Sequence, residues 1–490
     1  MSEVIASQRA RAIFFGALLG LILSKGLSLT PGFSLDDYVF VNQGASITQS
    51  LVQGRFTQAA LFAILNNLGV SSPSIAFPGT LLFFIAAGSA ITMGILFATR
   101  SKGSVTAQAG IAAIIGSYPY LTEYSTFRES IFTQVIAFTL LTLIFALVSV
   151  LERLKPKVGL VGTMVWLIIP LLAIAGTIQT AMMVVFLFIF SRLVIDSVTI
   201  GGINGLKQSL QSHSALIITF LFSGIIYAML FVFSQTFAGT HLDGRASLIS
   251  ISDIPLRLND IANLFKFVFL STEPVLSSAV KFLLLATIIG SILKIGINKP
   301  QVAIGCIVIF IVLSAGSIFL VSISAAWWPV PRAIYGIGFT YGLTLIAISI
   351  WLDKYQGLFI GMIVTIAAGL IFHSNALLYD QLRVNRWDLW TAGALAHDLA
   401  NAGVNQNEKI YLIGGLKYSS APKTVYRDLN ISAFSDSSTV NYIMQEATGR
   451  EWNVVAIEGN SDVCPPEYLW PSKKSIRTIQ QRVIVCMGTP

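Results

Sequence analysis

The sequence contains few charged residues for its length. Aspartate, glutamate, lysine and arginine make up 11% of its 490 residues, whereas hydrophobic residues make up 54%. An ordinary soluble domain has roughly 25% charged residues, so this chain cannot cover a core of its size with polar surface. The composition therefore excludes a soluble globular protein and indicates a protein whose apolar surface is covered by lipid.

Metal-site and nucleic-acid-binding patterns are also missing. The four histidines and three cysteines are too dispersed along the chain to match the ligand spacing of a zinc site. The net charge of +8 comes from single basic residues beside apolar runs, which is the distribution that orients membrane helices. We therefore expect no nucleic-acid partner.

Apolar runs long enough to cross a hydrocarbon layer of ~30 Å recur along most of the chain. The first run follows Arg9 and Arg11, contains Lys25 and lacks a small-x-small cleavage site, which favours a retained helix over a signal peptide. The runs predict an α-helical polytopic membrane protein with about eleven transmembrane helices. The predicted spans are 12–31, 75–98, 104–120, 131–150, 158–175, 178–195, 214–234, 276–297, 301–322, 333–352 and 357–373.

Basic residues are divided unequally between the two sets of connections. Twelve lie in one set, namely Arg9, Arg11, Arg100, Lys102, Arg153, Lys155, Lys157, Arg192, Lys207, Lys294, Lys299 and Lys354. Six lie in the other set, namely Arg55, Arg128, Arg245, Arg257, Lys266 and Arg332. Because basic residues favour the cytoplasmic side, we expect a cytoplasmic N-terminus and, with an odd number of helices, an external C-terminal segment.

The connections predicted to be cytoplasmic are short. The longest, 196–213, contains Gly201, Gly202 and Gly205 before Lys207, but it lacks the Gly-Lys-Ser/Thr ending of a phosphate-binding loop. A flexible connection is the favoured interpretation. No segment on this side is long enough for a nucleotide-binding domain, so direct use of ATP or a nucleotide sugar there is not expected.

The segments predicted to be external are larger. Residues 49–66 have helical spacing of apolar residues and predict a helix lying in the membrane interface. The segment 234–275 mixes Asp243, Asp253 and Asp260 with apolar residues and predicts further interfacial helices.

The last segment has the composition of a soluble domain. Its patterns predict helices at 388–402 and 437–449 and strands at 410–413, 454–457 and 483–486. We therefore divide the chain into a transmembrane module, 1–373, and a small α/β domain, 374–490.

The C-terminal segment also holds two of the three cysteines. Cys464 and Cys486 are a candidate disulfide in an oxidising external compartment, and two unpaired buried thiols are the alternative. Cys306 lies in a predicted span, where it is interpreted as a small apolar residue.

Two adjacent carboxylates, Asp36 and Asp37, follow the first predicted span directly and are followed by Tyr38. Near lipid, the repulsion between them raises the pKa of at least one unless a cation or metal is close. The pair suits a base that accepts a hydroxyl proton, or a ligand of a divalent metal ion. The alternative is that an aspartate caps the following interfacial helix.

Two more polar clusters lie at predicted external helix ends. Glu123, Arg128 and Glu129 form one of them, for which an exposed ion pair is the alternative interpretation. Trp328 and Arg332 belong to the other, the proline-rich turn Trp327-Trp328-Pro329-Val330-Pro331-Arg332. Its tryptophans also suit an aromatic belt, whereas its arginine suits contact with a phosphate at headgroup depth.

Three further cations lie on the predicted external face. Lys25 and Lys281 approach it from helix ends, where both also suit snorkelling. Arg55, in Gln53-Gly54-Arg55, is the third.

No aspartate or glutamate lies in the middle of a predicted span. Ion-coupled transporters usually need such a group at the midplane. This absence weakens the alternative function, a transporter or flippase of a lipid-linked sugar.

The stretch from Leu23 through Asp36-Asp37-Tyr38 to Gln53-Gly54-Arg55-Phe56 resembles the serotype-converting O-antigen glucosyltransferases of enteric bacteria and their phages. The membrane region as a whole resembles glycosyltransferases of the GT-C type. The resemblance implies transfer of glucose from undecaprenyl-phosphate-glucose to a sugar of the lipid-linked O-antigen repeat, with inversion, at the periplasmic face of the bacterial inner membrane. It also implies two functional partners, a synthase that makes the donor and a flippase that moves it.

On this basis the candidate residues receive roles. Asp36 or Asp37 is the expected base, and Arg332, Arg128 and Lys25 are expected to contact the donor phosphate. Substrate contacts are expected from Tyr38, Arg55, Glu123, Glu129 and Trp328. No cofactor is assigned, and a divalent metal ion at the acidic pair is left open.

Overall fold

The computed structural model describes residues 2–30, 32–238, 247–273, 275–352, 356–405, 407–415, 421–424, 430–457 and 463–487. Helices dominate these residues. The α-helices are α1 Ser2–Lys25, α2 Leu35–Gln43, α3 Ile47–Val52, α4 Phe56–Asn67, α5 Ala76–Thr99, α6 Val105–Ser117, α7 Pro119–Thr122, α8 Ile131–Ala175, α9 Gln179–Ile200, α10 Gly202–Ala238, α11 Ile254–Phe269, α12 Ser278–Gly296, α13 Pro300–Ile323, α14 Gly336–Trp351, α15 Gln356–Asn401 and α16 Ser437–Thr448.

Among the described residues, eight helical segments are long and apolar enough to cross a membrane. They lie in α1, α5, the first part of α8, α9, α10, α12, α13 and α15. This confirms the prediction of a polytopic α-helical membrane protein. Gly159, with φ +66°, interrupts the helical backbone of α8 and divides it into two parts. Three shorter apolar helices, which are Val105–Ser117, the second part of α8 at Val161–Ala175, and Gly336–Trp351, lie over the remaining predicted spans. The total of eleven crossings stays a prediction.

Small residues allow α1 and α6 to pack closely. A Cβ atom at Gly16 would lie 2.2 Å from the carbonyl oxygen of Ala109, and one at Gly20 would lie 2.5 Å from that of Ala113. The two glycines are four residues apart and therefore share one face of α1, the spacing that lets membrane helices approach closely. As a result the C-terminal end of α1 lies against the C-terminal end of α6.

The interfacial helix predicted at 49–66 is divided into α3 and α4. Gly54 has φ +70°, and a Cβ atom there would lie 2.0 Å from the Phe231 ring. The predicted single helix was therefore wrong, because the contact with α10 requires a turn that only glycine adopts readily. In the later predicted segment, α11 carries Asp260, and Asp243 lies outside the described residues.

The C-terminal segment contains a four-stranded sheet in the order β2-β1-β4-β3. Its strands are β1 Lys409–Ile413, β2 Asn453–Ile457, β3 Ile476–Ile479 and β4 Arg482–Cys486. β1 pairs in parallel with both β2 and β4, and β3 pairs antiparallel with β4. The end of α15 and α16 pack on the sheet through buried side chains such as Leu395, Ile410, Phe434 and Ile443.

Two features of this segment differ from the sequence prediction. The predicted helix at 388–402 is the end of α15, which runs without interruption from Gln356 to Asn401, so the boundary between 373 and 374 falls inside a helix. β3 was not predicted.

Cys464 and Cys486 form a disulfide, and Cys306 is buried as a free thiol in α13.

Candidate functional site

Two loops meet where α1 and α6 end. The first loop, residues 32–34, leads into α2, whose first turn carries Asp36 and Asp37, and the second loop, residues 123–130, precedes α8. The backbone N–H of Glu129 donates to Asp37 Oδ1 at 2.8 Å. The hydroxyl of Tyr124 donates to the carbonyl oxygen of Arg332 at 2.8 Å. The second loop therefore connects the acidic pair to the proline-rich turn.

Asp36 and Asp37 have different surroundings. Asp37 is fully buried, and its Oδ2 accepts from the backbone N–H of Ser34 at 2.7 Å in a capping box at the start of α2. The capping alternative therefore describes Asp37. Asp36 is exposed beside it in the first turn of α2, so of the two it is the carboxylate that a substrate hydroxyl can reach.

Arg128 and Glu129 lie against this acidic pair. Arg128 is buried, and its guanidinium donates to the carbonyl oxygens of Ser28 and of Thr30, the latter at 3.1 Å. Glu129 faces Asp37, to which its backbone N–H is bonded. Arg128 therefore joins the second loop to the residues just after α1, and Glu129 joins it to the start of α2. The Arg128 guanidinium is engaged with backbone rather than presented to a ligand.

Glu123 and Arg332 form the central ion pair of the proline-rich turn. Both Nη1 and the backbone N–H of Arg332 donate to the carboxylate of the fully buried Glu123. The guanidinium lies 4.4 Å from the ring centroid of Phe127 and 4.5 Å from that of Trp328. Because the arginine side chain remains 23% exposed, this is an oriented cation that solvent still reaches, not a simple surface ion pair.

Arg55 faces the same part of the molecule. Burial raises the pKa of Tyr124 to about 12, and the positive charges of Arg55 and Arg332 act in the opposite direction. The Tyr124 hydroxyl also lies 3.3 Å from Oγ1 of Thr180, the residue after Gln179 at the start of α9. The turn that carries Arg55 is fixed by Gln179, whose Nε2 donates to the carbonyl oxygen of Gln53 at 2.6 Å and to Tyr227 at 2.8 Å.

Three candidate residues have positions that do not suit direct substrate contact. Lys25 is fully buried, and its Nζ donates to the carbonyl oxygen of Gly116 at 2.6 Å. Tyr38 is buried in the hydrophobic cluster of the C-terminal sheet, where burial and the charge of Asp388 raise its pKa. Lys281 does not snorkel, because its Nζ pairs with Glu273 at 2.7 Å inside the protein. These side chains serve packing between elements.

The described residues contain no group of three or more His, Cys, Asp and Glu side chains placed to hold a metal ion. Within this part of the chain, Asp36 and Asp37 thus lack the further ligands that a metal site built by protein side chains needs.

Sequence reasoning missed the amides that hold the two loops. Asn385 and Gln381 of α15 hydrogen-bond to the backbone at Phe33 and Thr126, respectively. A single amide in a helix carries no local sequence signal, since its partner lies far away in the chain. The helical spacing of these two residues, four apart, is the only trace in the sequence.

No protein-family model matches this chain, and no curated protein is significantly similar to it in sequence.

Proposed function

We propose that the chain is a membrane glycosyltransferase that moves a hexose from a polyprenyl-phosphate donor to a hydroxyl of a lipid-linked glycan at the external membrane face. The proposal rests on the contacts that the second loop makes. It brings an exposed carboxylate, Asp36, and an oriented cation, Arg332, to the same end of the helix bundle. Glycosyl transfer from a lipid phosphate needs a base and a cation at that face.

The proposed reaction is a single displacement. Asp36 accepts the proton of the acceptor hydroxyl as its oxygen forms a bond to the anomeric carbon. The bond between that carbon and the phosphate oxygen breaks, and the lipid phosphate leaves with the electron pair. Attack opposite to the leaving group inverts the anomeric configuration.

Cations stabilise the phosphate charge that develops as the bond breaks. Arg332 is the proposed contact, because Glu123, Phe127 and Trp328 orient its guanidinium before substrate binds. Arg55, near Tyr124, is the proposed second cation. Arg128 and Lys25, which the sequence also suggested, stabilise the loops from inside the protein.

The sequence resemblance adds the identity of the substrates to this proposal. Glucose on undecaprenyl phosphate is the proposed donor, and the O-antigen repeat in the bacterial inner membrane is the proposed acceptor. A synthase and a flippase would supply that donor at the periplasmic face, where the C-terminal α/β segment would also lie.

The first experiment is turnover by purified protein in liposomes with undecaprenyl-phosphate-[¹⁴C]glucose and a lipid-linked O-antigen repeat. We expect labelled glycan and undecaprenyl phosphate in equal amounts. Movement of the intact labelled donor between leaflets, without release of undecaprenyl phosphate, would instead establish the flippase function and exclude the transferase.

The second experiment is mass spectrometry of O-antigen from a smooth host strain with and without the gene. A gain of one hexose per repeat is the expected result. An unchanged polysaccharide in a strain shown to contain the donor would contradict the proposed acceptor.

A further inference from the structure

We propose that Asn385 is a positioning residue, through which α15 sets the location of Asp36; this inference rests on the proposed function. Asn385 does not contact the acceptor or the donor in this proposal. It acts through the backbone of Phe33, three residues before Asp36 in the first loop.

The contact between Asn385 and Phe33 is a matched pair of hydrogen bonds. The backbone N–H of Phe33 donates to Asn385 Oδ1 at 2.5 Å, and Asn385 Nδ2 donates to the backbone carbonyl of Phe33 at 2.8 Å. One amide side chain therefore satisfies both backbone groups of one residue, as a neighbouring strand would. Asn385 is 8% exposed and Phe33 is half-buried, so loss of either bond leaves a polar group with little access to water.

The neighbouring Gly32 allows this close approach. A Cβ atom at Gly32 would lie 3.1 Å from Leu382 Cδ2 and 3.3 Å from Asn385 Oδ1. Both distances are tighter than ordinary contacts, so the first loop is seated directly on α15. The position of the loop is therefore sensitive to small changes on this helix face.

The same face of α15 holds two other parts of the molecule. Gln381, one turn before Asn385, donates from Nε2 to the carbonyl oxygen of Thr126 in the second loop at 2.8 Å. Asp388, one turn after it, accepts from Ser432 Oγ at 2.6 Å and from the backbone N–H of Ala433 at 2.8 Å. Because positions 381, 385 and 388 share one side of the helix, Asn385 lies between the contacts to the second loop and to the C-terminal segment.

A base must lie within hydrogen-bond reach of the acceptor hydroxyl. A shift of about 1 Å in such a group can lower turnover by about a hundredfold. Replacement of Asn385 should therefore lower kcat. The KM for the donor should stay unchanged, because the Glu123–Arg332 pair does not depend on the Asn385 amide.

The decisive variant is Asn385→Asp. At neutral pH the introduced carboxylate has an oxygen where Nδ2 donated to Phe33, and the two oxygens repel. We expect kcat to fall by about tenfold to a hundredfold. When the pH is lowered, protonation restores an O–H donor at this position, so activity relative to wild type at the same pH should recover. Asn385→Ala should lose activity without this recovery, and Asn401→Asp, the same change at an exposed position of α15, should have no effect.

A second measurement does not depend on catalysis. Hydrogen–deuterium exchange of a peptide covering residues 30–40 should become faster in Asn385→Asp at neutral pH and approach the wild-type rate at low pH. Unchanged exchange would overturn the proposed positioning contact. Faster exchange with wild-type kcat would show that the loop is held for a reason other than transfer, and would also overturn the proposal.

Failure of the parent function gives a different pattern. Wild-type protein that releases no lipid phosphate contradicts the transferase itself, whatever the variants do. The exchange measurement then still decides whether Asn385 holds the first loop.

Discussion

At the scale of single residues, the adjacent carboxylates Asp36 and Asp37 differ because of what surrounds their oxygens. Each oxygen of Asp37 accepts from a different backbone N–H, one from Ser34 and one from Glu129. Asp36 is exposed on the neighbouring position of the helix. The carboxylate of Asp37 therefore stabilises the start of α2, whereas the carboxylate of Asp36 is accessible from outside the protein.

Asp36→Asn and Asp37→Asn should separate these roles. Removing the proposed base at Asp36 should lower kcat by about 10²–10⁴-fold and leave thermal unfolding unchanged. At Asp37 the new NH₂ group must face one of two N–H donors, so we expect a loss of about 1–3 kcal/mol in unfolding free energy. Full turnover in Asp36→Asn protein would contradict the assignment of the base.

Arg332→Ala should lower turnover of the donor by about 10²–10³-fold, the effect of removing one group that stabilises developing charge. Arg383→Ala is the matched control, because Arg383 is an arginine of α15 paired with Asp380 and lies outside the proposed site. The measurement is kcat/KM for undecaprenyl-phosphate-glucose in liposomes. Equal values for both variants would place the phosphate elsewhere.

At the scale of structural elements, the turn at Gly54 positions Arg55 between α3 and α4. A side chain at Gly54 meets two costs, which are the positive φ of +70° and overlap with Phe231 at 2.0 Å. The positive φ alone costs about 1–2 kcal/mol for a residue with a Cβ. The overlap adds to this cost, because a packed ring must move.

Gly54→Ala should therefore destabilise the protein more than Gly69→Ala. Gly69 has a similar φ of +67°, but a Cβ atom added there would have no neighbouring atom within 4 Å, so it isolates the backbone cost. Thermal unfolding in detergent compares the two variants. Addition of Phe231→Ala should recover part of the loss at Gly54 and none at Gly69; equal losses in both single variants would contradict the packing argument.

Some elements were predictable from sequence, and others depend on distant contacts. The apolar spans follow from local hydrophobicity, and the strands β1, β2 and β4 follow from short apolar runs bounded by turns. The break between α3 and α4 does not, because Gly54 is fixed by Phe231 and Tyr227 of a helix far along the chain. β3 is a four-residue strand in which two residues are half-buried and two are exposed, too short for its pattern to be recognised.

The candidate site shows the same division. The position of Asp36 after a membrane helix and of Arg332 in a rigid turn is visible in the sequence. That Lys25 and Tyr38 are buried is not visible, because their surroundings come from α6 and from the C-terminal sheet. The contact of Asn385 with Phe33 joins residues 352 positions apart, beyond the reach of any local pattern.

At the scale of the whole molecule, charge bias predicts which membrane side each connection occupies. Lys102 follows α5 and Lys473 lies in the C-terminal segment, and both side chains are exposed. The bias places Lys102 in the cytoplasm and Lys473 outside. These two positions therefore form a matched pair for testing orientation.

Lys473→Cys should react with a membrane-impermeant maleimide on intact spheroplasts. Lys102→Cys should react only after the membrane is permeabilised. Cys306 is buried and the other cysteines form a disulfide, so the native thiols give little background. The reverse labelling pattern would show the opposite orientation and would contradict an external location of the proposed site.

The hydrogen bonds between Phe33 and Asn385 also have a consequence for biosynthesis. Their 352-residue separation means that the first loop leaves the ribosome about 20 to 70 s before its partner, at roughly 5–20 residues per second. During this interval the nascent chain has its acidic pair but not the helix that holds it. An incomplete chain released early would therefore lack a positioned base, and the proposed activity would begin only once the last membrane helix and its extension had been synthesised.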